Sequence, residues 1–250
     1  MTKQTHQAFT QKVRLGNTDL LYWIPNQICK WRSETLFTKE PSTIAWLTRI
    51  PQGEVLIDVG ANVGMYSIYA AATRQARVIA VEPESQNFST LCRNIYINGL
   101  NDKISPFCIS LSDSTGLTSL YLSSFVPDGG SSCHSSHQEV GFDLQPRSSP
   151  FAQGVASFRL DDAIASGSFP VPHAIKIDVD GFEHLVINGS IETLSNPRVK
   201  TLSIEVNYNL AEHKNMLREL EALGFYYCEE QVEVSMRTEG AFKGCAEVIL

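Results

Sequence analysis

The sequence has no apolar run approaching the roughly 20 residues that a bilayer-spanning helix needs. Its first stretch, Met1 to Leu15, lacks the apolar centre of a secretory leader. These two absences lead us to expect a cytoplasmic protein with no membrane partner. Positive charge is also scarce. Lys and Arg number 20 against 27 Asp and Glu, a formal net charge of −7, and no basic stripe or block stands out. A protein that tracks nucleic-acid phosphates carries such a patch, so no nucleic-acid partner is expected. Cysteine pairing signals are missing as well. Cys29, Cys92, Cys108, Cys133, Cys228 and Cys245 show no C-x-x-C spacing, and an even count in a chain of 250 residues does not make a disulfide framework. Cys92 and Cys108 fall in apolar segments and read as reduced core residues. There is no internal repeat.

Apolar residues make up 43% of the chain, enough for a sizeable core in one α/β domain with additions. Residues 1–50 mix polar stretches with Tyr22, Trp23, Trp31, Phe37 and Trp46 and read as a helical or irregular N-terminal cap; residues 51–250 read as the main domain. From Glu54 a regular alternation starts. Val55–Val59 is a short continuous apolar run, as a strand buried on both faces would be. A helix is expected over Asn62 to Thr73, a second strand over Arg77–Val81, and a helix capped by Ser85 that stops near Asn98-Gly99. Further strands are expected at Ile104–Leu111, at Ala174–Val179, at Val199–Val206, at Phe225–Cys228 and at Ala246–Leu250, with an amphipathic helix over Leu210–Leu223. Thr118–Phe125 reads as an antiparallel ribbon extending the sheet. Between them, residues 127–154 are rich in Ser, Gly and Pro and read as a long loop, a candidate lid. Strands alternating with helices imply a doubly wound, mostly parallel sheet with ligands at the carboxyl ends of its strands.

Three motifs fall at those ends. Asp58-Val59-Gly60-Ala61-Asn62-Val63-Gly64 joins the first strand to the first helix. Glycines there allow a tight turn and close approach to a ligand, and the helix N-terminus adds donors. A dinucleotide fingerprint needs G-x-G-x-x-G, but Asn62 stands at the middle glycine, the one that admits a pyrophosphate. Asp58 would repel a pyrophosphate too. It suits a cationic ligand carrying an ammonium and a sulfonium, the charges of S-adenosylmethionine. Glu82-Pro83 ends the second strand, where an acid accepts ribose hydroxyls. Lys176-Ile177-Asp178-Val179-Asp180-Gly181-Phe182-Glu183 ends the fourth strand, with Lys176, Asp178 and Asp180 on one face by the two-residue period. Charges within an apolar strand are costly unless paired. A structural lysine–carboxylate pair followed by an Asp-Gly turn accounts for the same residues; their place at the cleft favours a functional role.

Asp58 to Gly64, Glu82-Pro83 with Asn87 and Asn94 to Leu100, Ser112-Asp113, Leu160-Asp161-Asp162 and above all Lys176 to Glu183 resemble FkbM-type methyltransferases over roughly residues 40–206. The resemblance implies a Rossmann-like class I methyltransferase fold with an antiparallel C-terminal strand, and an S-adenosylmethionine-dependent O-methyltransferase acting on a hydroxyl of a small metabolite, polyketide, sugar or glycan. It implies cofactor contacts at Asp58, Gly60, Asn62, Gly64, Glu82 and Asp113, and places Asp178 at the methyl-transfer cleft. The sequence departs from the family in carrying Asp180 where Glu is more usual, which shortens the reach of a base there. Asp180, Glu183 and His184 are the candidate bases, with Asp178 orienting and Lys176 keeping that carboxylate ionised. Asp178, Glu205 and Asn207 offer hard oxygens to Mg²⁺, but plain cleft lining is the favoured reading, without a metal.

Other signals are weaker. Cys133-His134 with His137 has no fourth ligand nearby and reads as a solvated loop. Asp161-Asp162 reads as the cap of a short helix beginning near Ala163. Glu40 either meets the cofactor's amino group or lies on the surface. Two competing functions stand beside the leading one. An N-methyltransferase lacks its Asn/Asp-Pro-Pro-aromatic signature here, and a silent nucleoside-binding scaffold has no need of costly polar residues at Asp58, Glu82 and Asp178.

Overall fold

The computed structural model describes residues 9–16 and 18–250. The chain opens with an antiparallel hairpin, β1 (Thr10–Leu15) and β2 (Thr18–Trp23), then α1 (Gln27–Glu34) and α2 (Pro41–Arg49). The alternating core follows: β3 (Val55–Val59), α3 (Met65–Arg74), β4 (Arg77–Val81), α4 (Ser85–Ile97), β5 (Ile104–Phe107). A side sheet comes next, from β6 (Ser110–Leu111), β7 (Gly116–Leu122), β8 (Ser135–Ser136) and β9 (Phe151–Phe158). The chain then returns through α5 (Leu160–Ala165), β10 (Ala174–Ile177), α6 (Glu183–Asn188), α7 (Ile191–Leu194), β11 (Thr201–Asn207), α8 (Ala211–Ala222), α9 (Glu229–Ser235) and β12 (Cys245–Ile249).

The main sheet has the order β5-β4-β3-β10-β11-β12, parallel except for β12, which runs antiparallel to β11. Strand order reverses between β3 and β10, so a crevice opens beyond the carboxyl ends of those two strands, where doubly wound sheets bind ligands. Every residue of β3 is buried. Ile57 and Val59 join Ile79, Val81, Ile175 and Ile177 in one apolar cluster. Leu56 joins Val78, Ala80 and Ala174 in another, with Ile68 of α3 and Leu20, Trp46 and Leu47 of the N-terminal segment. Period-two alternation thus feeds two cores, one on each sheet face.

That second face is not wholly apolar. The register sets Asp58 beside Lys176 and Lys176 beside Ser203, and puts Glu205 directly opposite Glu247. All five are buried. Glu40, immediately ahead of α2, is buried as well. The N-terminal segment therefore covers a charged layer of the sheet.

Several sequence expectations need correction. The segment expected to be helical or irregular begins with a β-hairpin. Its second strand, β2, is secured from α4. Asn94 Oδ1 accepts the Trp23 N–H at 2.7 Å, Asn98 Oδ1 accepts the Leu21 N–H at 2.9 Å, and Asn98 Nδ2 donates to the Leu21 carbonyl at 2.7 Å. Residues four apart on a helix share a face, so two asparagines pin an edge that local propensity does not reveal. Ser85 is the first residue of α4 rather than its cap. Glu84 caps it, accepting from the Gln86 and Asn87 amides at 2.9 and 2.7 Å. The ribbon does not extend the main sheet; β7 pairs with β9 in the side sheet. Ile104–Leu111 divides between the two sheets. Phe225–Cys228 is not a strand but leads into α9. Asp161 caps α7, not its own helix, taking the Thr193 N–H at 2.8 Å. All six cysteines are free, and the buried ones are Cys29 and Cys245; Cys92 is half-buried and Cys108 exposed.

Asn94 also donates to the Val63 carbonyl at 2.7 Å, so it joins hairpin, helix and glycine turn. Asn94→Ala strands buried partners and is expected to cost about 1–3 kcal/mol. Denaturant unfolding measures this; a loss under about 0.5 kcal/mol would mean that the asparagine does not hold the hairpin.

Candidate active site

The glycine turn is shaped by what it packs against. Gly60 has φ +78°, and a Cβ there would lie 1.9 Å from the Asp178 carbonyl oxygen, so only glycine lets β3 and β10 end this close together. Gly64, at φ +85°, would drive a Cβ to 2.5 Å from Leu91 Cδ1. Asn62 sits in the left-handed region at φ +50°, where Asn is better tolerated than most residues. The Gly60 and Ala61 amides donate to the Val81 carbonyl at 2.9 and 3.0 Å. The Asn62 amide donates to Glu82 Oε2 at 2.8 Å. The turn is thereby clamped to the end of β4.

Over these strand ends lies a cavity of about 350 Å³, within the usual range for small-ligand sites. Its floor is Gly60 and Asn62, Glu82 and Pro83, Ser110 to Ser112, and Asp178 to Asp180. Glu205 and Arg237 close one side; Trp31, Arg32 and Lys39 of the N-terminal segment close another. Residues 127–154 supply the roof through Ser131, Ser132 and His134. This segment is stitched down along its length. The Ser131 carbonyl accepts from Asn62 Nδ2 at 2.7 Å and Asn87 Nδ2 at 3.1 Å. The Gly130 amide donates to Asn87 Oδ1 at 2.7 Å, and its carbonyl accepts from Arg32 Nε at 2.8 Å. Thr90 Oγ1 reaches the Asp128 carbonyl at 2.6 Å.

Electrostatics dominate the floor. Lys176 is fully buried, its ammonium 3.1 Å from Asp178 Oδ2 and 5.1 Å from the centre of the Tyr66 ring. Burial would lower its pKa, but Asp178, Asp58, Glu40 and Glu247 more than offset this and hold it above the ordinary lysine range. Asp178 shows the converse: burial would raise it, yet Lys176 and Lys39 hold its carboxyl well below the usual range. Asp58 accepts from Ser67 Oγ at 2.5 Å, and burial raises its pKa against the pull of Lys176. Lys39 pairs with Glu40, and Arg237 with Glu205 at 2.8 Å. Burial and then Asp178 push Glu205 up to about 8 despite that guanidinium. Asp58, Glu40, Asp178, Glu205 and Glu247 thus face three cations, Lys39, Lys176 and Arg237. Among the described residues both Glu247 carboxylate oxygens and Asp58 Oδ1 are buried without a hydrogen-bond partner. Asp178, held ionised, is the anion that the cavity offers to a positively charged ligand group.

The expected site residues divide. Gly60, Asn62, Glu82, Asp178 and Asp180 line the cavity, and Lys176 lines a smaller pocket beside it. Asp58 lies beneath the floor, bound to Ser67. Gly64 serves packing against Leu91. Asp113 is exposed and lies outside the cavity; Ser110, Leu111 and Ser112 take that wall instead. Glu183 also lies outside it. Its oxygens accept the Val179 amide at 2.8 Å and the Gly181 amide at 3.0 Å. His213 Nε2 lies 3.0 Å from the Gly181 carbonyl and 3.3 Å from Glu183. His184 does not line the cavity either. Glu40 is no surface residue, at 2% exposure. Carboxylate triplets occur at Glu40, Asp178 and Glu247 and at Asp178, Glu183 and Glu205. They do not fit a divalent ion, because Lys176 and Arg237 already sit against their oxygens and Glu183 is committed to backbone amides. Asn207 Oδ1 is likewise taken by Asn209. Sequence reasoning did not find Arg32, Lys39 or Arg237, which lie in segments without a motif; the side-by-side Gly129-Gly130 was the available sign that the roof packs closely.

A glycine turn at the switch point, an acid ending the next strand and an ionised Asp178 at the cavity floor fit an enzyme that takes a nucleoside cofactor with positive charge. The model of the FkbM methyltransferase domain matches residues 58–227, and the chain belongs to that family. It is an S-adenosylmethionine-dependent methyltransferase. Among relatives, the hexuronic acid methyltransferase AglP of Haloferax volcanii is 24% identical over 189 residues, covering 76% of this chain and 72% of that protein. The methyltransferase sdnD of Sordaria araneosa is 30% identical over 71 residues, 28% of this chain and 27% of that one. Solved structures with a similar course include P. horikoshii TYW2 in complex with MeSAdo, at TM-score 0.46 and 13% identity over 97% of this chain and 70% of that one. Precorrin-6y C5,15-methyltransferase from Geobacter metallireducens gives 0.44 and 12% over 84% of each. No helix among the described residues is long and apolar enough to cross a membrane.

Burial pushes the Glu82 carboxyl up to about 7, against the opposing amides of Glu84 and Asn62. A carboxyl with a folded value above its unfolded one binds more protons in the folded state, so stability falls as pH rises between the two. The ligand-free protein is expected to lose stability from its ordinary value of 4.5 to about 7. Glu82→Gln should flatten that decline. Unfolding free energies across this range test it; parallel curves for the two proteins would contradict it.

Proposed function

We propose that the enzyme transfers a methyl group to a hydroxyl of a small metabolite or glycan, a sugar acceptor being the best supported, with Asp180 as the base. The carrying observation is the state of Asp180. Among the described residues it is a cavity-lining carboxylate with no Lys or Arg in ion-pair contact, in contrast to Asp178 and Glu205. It accepts the Cys133 amide at 2.7 Å and lies 3.7 Å from Cys133 Sγ. Burial, then the neighbouring Asp178, raise its pKa. A carboxylate raised in this way is a better proton acceptor at neutral pH. The hexuronic acid methyltransferase among the relatives supports a sugar.

The cofactor supplies an electrophilic methyl on a sulfonium. The chain's own residues do the rest. Asp178, held ionised by Lys176, attracts positive charge to the strand ends. Glu82 Oε2 accepts the Asn62 amide, and Oε1 accepts the Glu84 amide and, at 3.4 Å, Asn87 Nδ2; a carboxylate has about four such sites, which leaves room on Oε2 for a ribose hydroxyl. Glu183 and His213 fix the Asp180-Gly181 turn, where Asp180 has φ +55°. Alignment of acceptor and methyl group then follows from position. Glu183 and His184 are given no part in proton removal.

Labelled methyl transfer to hexose and hexuronate glycosides, with RNA and protein as comparators, tests the reading. Transfer to a glycoside is expected. Asp180→Asn should lower turnover about 10²–10⁴-fold while S-adenosylhomocysteine binding stays within about twofold. Unchanged turnover removes Asp180 as the base. Transfer to RNA or protein alone, or to none of these acceptors, overturns the acceptor class.

A further inference from the structure

Beside the main cavity lies a second pocket of about 30 Å³, sharing Arg32, Lys39, Gly60, Asn62 and Asp178 with it. That volume admits a group the size of one or two heavy atoms. Its far wall is Met65 and Tyr66, the first turn of α3, whose N-cap Gly64 offers no side chain to the helix amides. The pocket presents charges of both signs. Asp178 is the anion. Two of its cations are already engaged, Lys176 by Asp178 and Lys39 by Glu40. Arg32 differs. Its Nε donates to the Gly130 carbonyl, and among the described residues no carboxylate lies within ion-pair distance of its guanidinium. It is half-buried on α1, aimed at the junction of the two cavities. A guanidinium is a forked donor suited to a carboxylate, and here it has none from the protein.

A free cation and an ionised carboxylate, both lining one pocket at the glycine turn, complement a zwitterionic amino-acid group. We propose that Arg32 binds the α-carboxylate of S-adenosylmethionine, with the α-ammonium toward Asp178. This rests on the reading of the main cavity as the cofactor site. The N-terminal segment, which lies outside the matched residues 58–227, then completes the cofactor site. Because the same guanidinium holds the Gly130 carbonyl, the roof and the cofactor's amino-acid end share one anchor.

Calorimetric titration with three ligands tests the proposal: S-adenosylhomocysteine, its decarboxylated amine, and 5′-methylthioadenosine, which keeps the nucleoside but lacks the amino-acid end. The wild-type protein should bind S-adenosylhomocysteine most tightly. Arg32→Gln should weaken that ligand by about 10- to 100-fold, as for hydrogen bonds to a charged group, and leave the decarboxylated amine and methylthioadenosine within about twofold. Arg32→Lys should recover part of the loss. Equal weakening of all three ligands would show that Arg32 acts only through the roof, and no weakening would show no role; either overturns the proposal. If the wild-type protein binds none of them, the cofactor reading of the cavity fails first and the proposal falls with it.

Discussion

The site depends on one buried ammonium. Lys176 lies in the middle of the sheet, next to Asp58 on β3 and 3.1 Å from Asp178 at the end of its own strand. Glu40 and Glu247 reach the same region from the N-terminal segment and from β12. Without that charge, four carboxylates would share a dry layer, at a cost that proteins avoid by protonation or unfolding. With it, Asp178 stays ionised at the mouth of the crevice while Asp58 and Glu247 share the field. The lysine thus joins stability to function: the charge that makes the layer tolerable also keeps Asp178 ionised at the cavity.

The charged layer has structural consequences. An N-terminal segment must cover the layer, because an apolar sheet face would otherwise continue into water with charges at its end. The cover is secured on one side by Asn94 and Asn98 and on the other by the shared core of Leu20, Trp46 and Leu47. In covering the layer, the same segment brings Arg32 and Lys39 to the cavity. The roof formed by residues 127–154 is held by Asn62, Asn87 and Arg32, side chains that also line the cavity. Roof and cavity wall are therefore set by one group of polar contacts.

The parallel sheet and the glycine turn were legible in the sequence because each is a local pattern. Val55–Val59 is apolar but for Asp58, and Gly60 can only be glycine beside the Asp178 carbonyl. Asp178 and Glu82 line the cavity because they follow strand ends, which a local pattern also reveals. Asp113 and Glu183 show where local reading stops. Both follow strands or turns as a site residue would, yet one faces solvent and the other spends its oxygens on the amides of Val179 and Gly181. Arg32, Lys39 and Arg237 carry no motif, since they reach the cavity only where segments distant in the chain meet. The hairpin at Thr10–Trp23 escaped notice because its edge is satisfied by asparagine side chains from α4 rather than by another strand.

The most direct test of the account is the unfolding free energy of Lys176→Met against the wild-type protein as a function of pH. Removing one partner of a buried charge group costs about 3–5 kcal/mol. The carboxylates left behind would have raised pKa values, so the loss should be largest at alkaline pH and shrink as acid protonates them. A loss of the same size at every pH, or no loss, would contradict the central role given to Lys176.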